Sequence, residues 1–161
     1  MEMRLTMRRP GRTSYDVTGT TFDELSDAMD AHGCWGRYSF PFSQRLLGPP
    51  DDVQRINLTI RPNIEMPRWR WRGRGEPTEV QQREWDRMIT ALDRHEAEHH
   101  RLLTRKAEEF RDSLPNISQA MDRRAVGRLM QDFQREAQAV MDDFDRTSDH
   151  GRRTGVDLND P

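Results

Sequence analysis

The sequence predicts an α+β domain: a small N-terminal mixed sheet with one helix, followed by two long antiparallel helices that carry a zinc site. Three observations predict it. Residues 14–72 hold short pieces in which large apolar and polar residues alternate, the period of half-buried strands. From residue 78 to residue 144 apolar residues recur every three or four positions, the period of amphipathic helices. Within the first helical run stands Arg94-His95-Glu96-Ala97-Glu98-His99-His100, which contains the His-Glu-x-x-His pattern of a metal-binding helix.

At 161 residues the natural expectation is one domain, read as residues 13–156 with a flexible basic arm at 1–12 and a tail at 157–161. Hydrophobic residues are 33% and charged residues 34%, so the core is lean and a polar group that interrupts an apolar stripe is informative. The 26 basic and 28 acidic residues give a net charge of −2, which supplies no field to recruit nucleic acid or an acidic membrane. Cys34 is the single cysteine, which excludes an intramolecular disulfide and a Cys-x-x-Cys metal site. No stretch approaches the roughly 20 apolar residues of a membrane helix, and no signal-peptide run opens the sequence. The expected location is cytoplasmic, or secreted if an export signal was removed.

Ser14-Tyr15-Asp16-Val17-Thr18 is the first strand expected. Thr20 or Thr21 then caps a helix with Asp23 and Glu24 in its first turn and Phe22, Leu25, Ala28 and Met29 on one face. Gly33 stops it after His32, read as a helix-terminal histidine without a catalytic part. Residues 35–42 and 55–61 alternate as strands around a turn at 48–52. The piece Ile64–Arg72 alternates Arg with Trp at Arg68, Trp69, Arg70, Trp71 and Arg72. That pattern suits a single-stranded nucleic-acid surface, but the near-neutral charge favours an edge strand with Trp inward and Arg solvated, and Pro67 fits an edge. Thr78 and Gln81 form a capping box for a helix that ends at Leu114-Pro115. Asn116 or Ser118 caps the last helix, whose stripe is Ile117, Met121, Ala125, Leu129, Phe133, Ala137, Val140 and Phe144.

The stripe of the first long helix continues through Trp85, Met88, Leu92, His95, His99 and Leu102. Two imidazoles four residues apart lie about 40° apart on a helix and one turn along it, so both can reach one ion. Glu96 lies about 100° round from His95, where its carboxylate can act as base on a water in zinc's open position. His100 reads as solvated or as a secondary partner behind the ligands, and Glu98 as a surface partner of Arg94 or Arg101. A third ligand is needed, and the extended pattern that would supply a glycine and a third histidine is excluded, because Leu102 and Arg105 stand there. His150 is the expected third ligand, with Glu136 of the last helix as the alternative. Asp145 and Asp149 flank His150 and can orient imidazoles as acceptors.

The segments Tyr15-Asp16-Val17-Thr18-Gly19-Thr20-Thr21, Met66-Pro67-Arg68-Trp69, Trp85 ten residues before His95, and Asp145-x-x-Ser148-Asp149-His150-Gly151 with Gly155 carry a resemblance. Over about residues 14–156 the chain resembles a small bacterial domain-of-unknown-function family described as secreted zinc-dependent proteases. The family usually has Thr where Ser148 stands, and its disulfide cysteines and export signal are missing from this sequence.

The expected function is zinc-dependent hydrolysis of a peptide bond, with Zn²⁺ on His95, His99 and His150 and with Glu96 as general base. Arg68, Trp69, Arg70 and Trp71 are the expected substrate contacts, on an edge strand that pairs with an extended peptide. One alternative keeps the metal as a Lewis acid on a small molecule in a biosynthetic cyclisation, elimination or aldol-type step. Another is a non-catalytic zinc-containing binding module. A peptide or small-molecule substrate is expected in each catalytic reading, with no nucleic-acid or membrane partner.

Overall fold

Proline cannot donate to a ladder, and the strand-forming stretches are punctuated by Pro10, Pro41 and Pro62. A computed structural model describes residues 1–114 and 120–159 and breaks the strands at those points. The elements are β1 (Glu2–Met7), β2 (Gly11–Thr18), α1 (Phe22–His32), β3 (Arg37–Ser39), β4 (Phe42–Leu47), β5 (Arg55–Ile60), β6 (Asn63–Arg70), α2 (Glu79–Ser113) and α3 (Arg123–Ser148), followed by a 3₁₀ turn at Arg152–Thr154. The architecture is α+β, with N-terminal strands and then two long helices, as expected.

There are two mixed three-stranded sheets, ordered β1-β5-β4 and β2-β6-β3, where one was expected. Each has a parallel and an antiparallel ladder. The antiparallel register is the same in both, Tyr38 facing Ile64 and Gln44 facing Leu58. The arm expected at the N-terminus is instead β1, paired in parallel with β5 from Glu2 opposite Arg55 to Met7 opposite Ile60. Glu2-Met3-Arg4-Leu5-Thr6-Met7 does alternate polar with apolar residues, the strand period, but the basic run Arg8-Arg9-Pro10 beside it gave the segment the look of an arm. The strand expected over 35–42 is split at Pro41 into β3 and the start of β4, and the rest of β4, residues 43–47, was not anticipated as a strand. β6, expected at an edge, is the central strand of its sheet, but β3 pairs only with Asn63–Glu65. Pro67 lies beyond that, where β6 has a partner on the β2 side alone among the described residues.

The chain divides into two units. One comprises Met1–Pro10, Phe40–Pro62 and His99–Phe144. Its sheet buries Ile56, Leu58 and Ile60, alternate residues of β5, and its helical segments bury Leu103, Ala107, Leu114, Val126, Met130, Phe133, Ala137 and Met141. Phe110 stacks on Phe133 at 4.7 Å, and Lys106 pairs with Glu136 at 2.7 Å. As the number rises on one helix it falls on the other, so α2 and α3 run antiparallel. The buried line of α3 passes through Val126, Met130 and Met141, not the expected Ala125, Leu129 and Val140. Repeated steps of four drift by about 40° each on a helix, so the expected stripe slid off the buried face. Its first residue, Ile117, the stop at Pro115 and the caps proposed at Asn116 and Ser118 lie outside the described residues. The described helix is capped by Asp122, whose Oδ1 accepts from the Ala125 amide at 2.7 Å.

The other unit comprises Gly11–Ser39, Asn63–Glu98 and Asp145–Pro161. Its core is Val17, Phe22, Leu25, Met29, Trp85, Met88, Leu92 and Val156. Thr21 caps α1 with a full capping box to Glu24, and Gly33 closes the helix at φ 94°. Thr78 and Gln81 exchange the same pair of bonds at the start of α2. The C-terminal segment, expected as a polar tail, is tied down. Val156 is buried in the core, and Arg87 of α2 donates to the carbonyls of Gly155 and Asp157 at 2.9 and 2.8 Å.

Candidate metal centre

The helical pattern that carries Trp85, Met88 and Leu92 inward also carries His95, Glu96 and His99 inward, and all three are buried. Buried polar groups are normally satisfied, and the partners here come from α3. His95 Nε2 lies 2.9 Å from Asp145 Oδ1. His99, one turn further along α2, puts Nδ1 3.2 Å from Met141 Sδ and its ring edge-on to Phe144 at 4.9 Å. The thioether and phenyl ring hold the imidazole so that its Nε2 edge faces away from Met141. His95, His99 and Asp145 each offer one ligand atom, and these atoms lie within 4.8 Å of one another. Ligands at about 2.0–2.1 Å around a tetrahedral ion are about 3.3 Å apart, so the set fits a metal with little adjustment.

Asp145 is placed by the end of its helix. The His150 amide donates to the Asp145 carbonyl at 2.7 Å, and the Asp149 amide to the Arg146 carbonyl at 3.4 Å. These are the paired bonds of a Schellman cap, with the left-handed residue at Asp149, φ 52°. His150 repeats that conformation at φ 51° and Gly151 at φ 85°. Ser148, buried, donates from its hydroxyl to the Asp145 carbonyl at 3.3 Å and accepts from the Gly151 amide at 3.2 Å. A side chain at Gly151 would put Cβ 3.2 Å from His95 Cγ and 2.5 Å from Val156 Cγ2. The turn therefore packs its backbone directly on His95, which only glycine permits.

Glu96 is 2% exposed. Its Oε2 has no hydrogen-bond partner among the described residues. Burial pushes its carboxyl up to about 7; the charge of His95 opposes that shift, while Asp145 and Asp93 add to it. Gly36, in the loop before β3, lies against this carboxyl: a Cβ there would collide with Glu96 Oε1 and come within 2.9 Å of Leu92 Cδ1. Nothing in the sequence flagged Gly36, because its neighbour is sixty residues away.

The sequence-derived residues thus separate into two sets. His95, Glu96, His99 and Asp145 are together. His150 and Asp149 are exposed in the turn and do not belong to the close group, where Asp145 occupies the place expected for His150. Glu136 is exposed and pairs with Lys106. Arg68 and Arg70 both bond Asp16, at 2.7 and 3.2 Å. Trp69 donates to the Gly19 carbonyl at 2.9 Å and packs on Trp85 and Trp71. This is the inward-Trp, outward-Arg strand of the plainer sequence reading. His100 is half-buried, and burial holds its imidazole below the ordinary range.

Fold and site together define an α+β protein with two buried histidines and a half-buried carboxylate that could hold a metal ion. The chain belongs to the family described as bacterial protein of unknown function (DUF922), which matches residues 12–151 and so takes in both helices and the capping turn. It is the family suspected from the motifs. No curated protein and no solved structure matches the chain. Among the described residues no helix is long and apolar enough to cross a membrane.

Proposed function

We propose that this protein is a zinc-dependent hydrolase that cleaves a peptide bond, with His95, His99 and Asp145 as the metal's protein ligands and Glu96 as general base. The observation that carries the reading is Glu96 Oε2: a buried carboxylate oxygen without a described partner, one residue from a histidine of the metal group. Zinc bound there would polarise a carbonyl and acidify a water. Two imidazoles and one carboxylate are a donor set that zinc takes in hydrolytic enzymes, with a fourth position left open. Glu96 Oε2 would take the proton of the attacking water and deliver it to the leaving amine. In the metal-free site burial holds this carboxyl near 7; beside a bound cation it would titrate lower and stand ionised, ready to accept the proton. Met141 and Phe144 hold the His99 ring, and the Gly151 turn holds His95.

The test is exposure of a mixed peptide library to zinc-loaded protein, read by mass spectrometry. Cleavage at defined bonds that is lost with a chelator and restored by zinc is expected. A fully loaded protein that cuts no peptide overturns the peptidase reading. Gly36→Ala supplies a finer check, since the added methyl displaces the Glu96 carboxyl. Zinc content should stay at the wild-type level while kcat/KM falls about 100-fold, the cost of misplacing a catalytic group by an ångström. Unchanged turnover in that variant would mean that Glu96 is not the base.

A further inference from the structure

Apart from the histidine group of α2, one set of side chains among the described residues brings sulfur, nitrogen and oxygen donors together. His32, Cys34 and Glu65 each offer one ligand atom, and these lie within 4.8 Å of one another. We propose that they form a second, peripheral metal site, selective for a borderline-soft divalent ion such as zinc.

The site is built by local rules. His32 is the last residue of α1, and Gly33 follows in the left-handed conformation at φ 94°. A Cβ at Gly33 would meet nothing within 4 Å, so glycine serves the backbone reversal there and not a close approach. That reversal returns Cys34 to the side of His32. Tyr15 of β2 then holds both residues. Its ring stacks on the imidazole at 3.6 Å and 9°, and its hydroxyl donates to the carbonyls of Cys34 at 2.9 Å and Trp35 at 2.8 Å. Trp35 Nε1 closes the loop on Asp30 at 2.7 Å. Glu65 comes from the central strand β6, held between Thr13 and Arg37 of its neighbours, and its Oε1 lies 3.0 Å from His32 Nε2.

A preformed donor set spares a ligand the cost of ordering it. The chemistry of the set is selective. Thiolate with imidazole suits zinc and its softer neighbours, whereas magnesium and calcium take oxygen donors. Three protein donors at a partly exposed position leave room for water or a small ligand to complete the coordination. The rival account is an ion pair between His32 and Glu65 with Cys34 as a bystander.

Cobalt(II) separates the two, because Cys34 is the sole cysteine and the histidine group of α2 contains no sulfur. Titration of the whole protein with Co²⁺, in a thiol-free reductant, should fill two sites per chain. A thiolate-to-cobalt charge-transfer band should appear in the near ultraviolet and saturate at one equivalent. Cys34→Ala and His32→Ala should each abolish the band and leave one cobalt per chain, with circular dichroism unchanged. Glu65→Gln, which keeps the shape of the side chain, should weaken the band's titration at least about tenfold. The double variant His95→Ala, His99→Ala should keep the band in full. Absence of the band in the wild type, its survival in His32→Ala, or a wild-type cobalt content in Cys34→Ala would each overturn the proposal.

Discussion

Asp145→Ala should lower zinc affinity by more than about 100-fold, while His150→Ala leaves it within a few-fold of the wild type. The threshold follows from chemistry: losing a carboxylate that only orients a ligating imidazole costs about 10- to 100-fold, and losing a direct ligand costs more. Asp145 Oδ1 stands 2.9 Å from His95 Nε2, in a group whose third member is His99. His150 is exposed, and its amide serves to cap α3. Two consecutive residues with side chains in left-handed backbone, Asp149 and His150, nonetheless cost about 1–3 kcal/mol each, and such strain concentrates at functional sites. The measurement is metal content and competition with a chromophoric chelator, with His95→Ala as the variant that loses the ion. If His150→Ala takes the large loss and Asp145→Ala the small one, His150 is the ligand and Asp145 orients it.

Glu96→Gln should slow hydrolysis severely and stabilise the metal-free protein above neutral pH. A general base contributes about 10²–10⁴-fold, so kcat should fall in that range while zinc binds normally. The stability effect has a definite sign. The folded carboxyl titrates at about 7, above the ordinary value of 4.5. The folded state therefore holds the proton more tightly than the unfolded chain does. That contribution is fully present below about pH 4.5 and is lost as the pH rises to about 7, to a limit of about 3 kcal/mol. Glutamine is neutral throughout and removes the dependence. Thermal unfolding of chelator-treated proteins should show the variant melting above the wild type at pH 8 and level with it at pH 4.5. Equal melting at both pH values would mean that Glu96 is not a buried acid.

Much of this was legible because it is local. The spacing of Trp85, Met88, Leu92, His95 and His99 put both imidazoles on the buried face of one helix, and an α-helix fixes that geometry whatever packs against it. The caps likewise depend on residues three apart: of Thr20 and Thr21 it is Thr21 that caps α1, with Glu24 completing a box, and the box at Thr78 formed as expected. The strands were less legible. β1 and β4 owe their conformation to pairing with β5, and pairing depends on a neighbour that hydropathy along one strand does not reveal.

The helix that opens at Thr78 thus had its two histidines and its carboxylate determined by sequence alone, because periodicity and side-chain chemistry suffice for them. Which third group meets them was decided by tertiary structure. The antiparallel pairing of α2 with α3 sets Asp145 opposite His95, five residues before the expected His150, and the Schellman turn takes the chain through His150 to pack Gly151 on the His95 ring. Gly36 against Glu96, and Tyr15 over His32, are of the same kind. Each depends on backbones brought together from distant parts of the chain, and no periodicity in the sequence encodes such an approach.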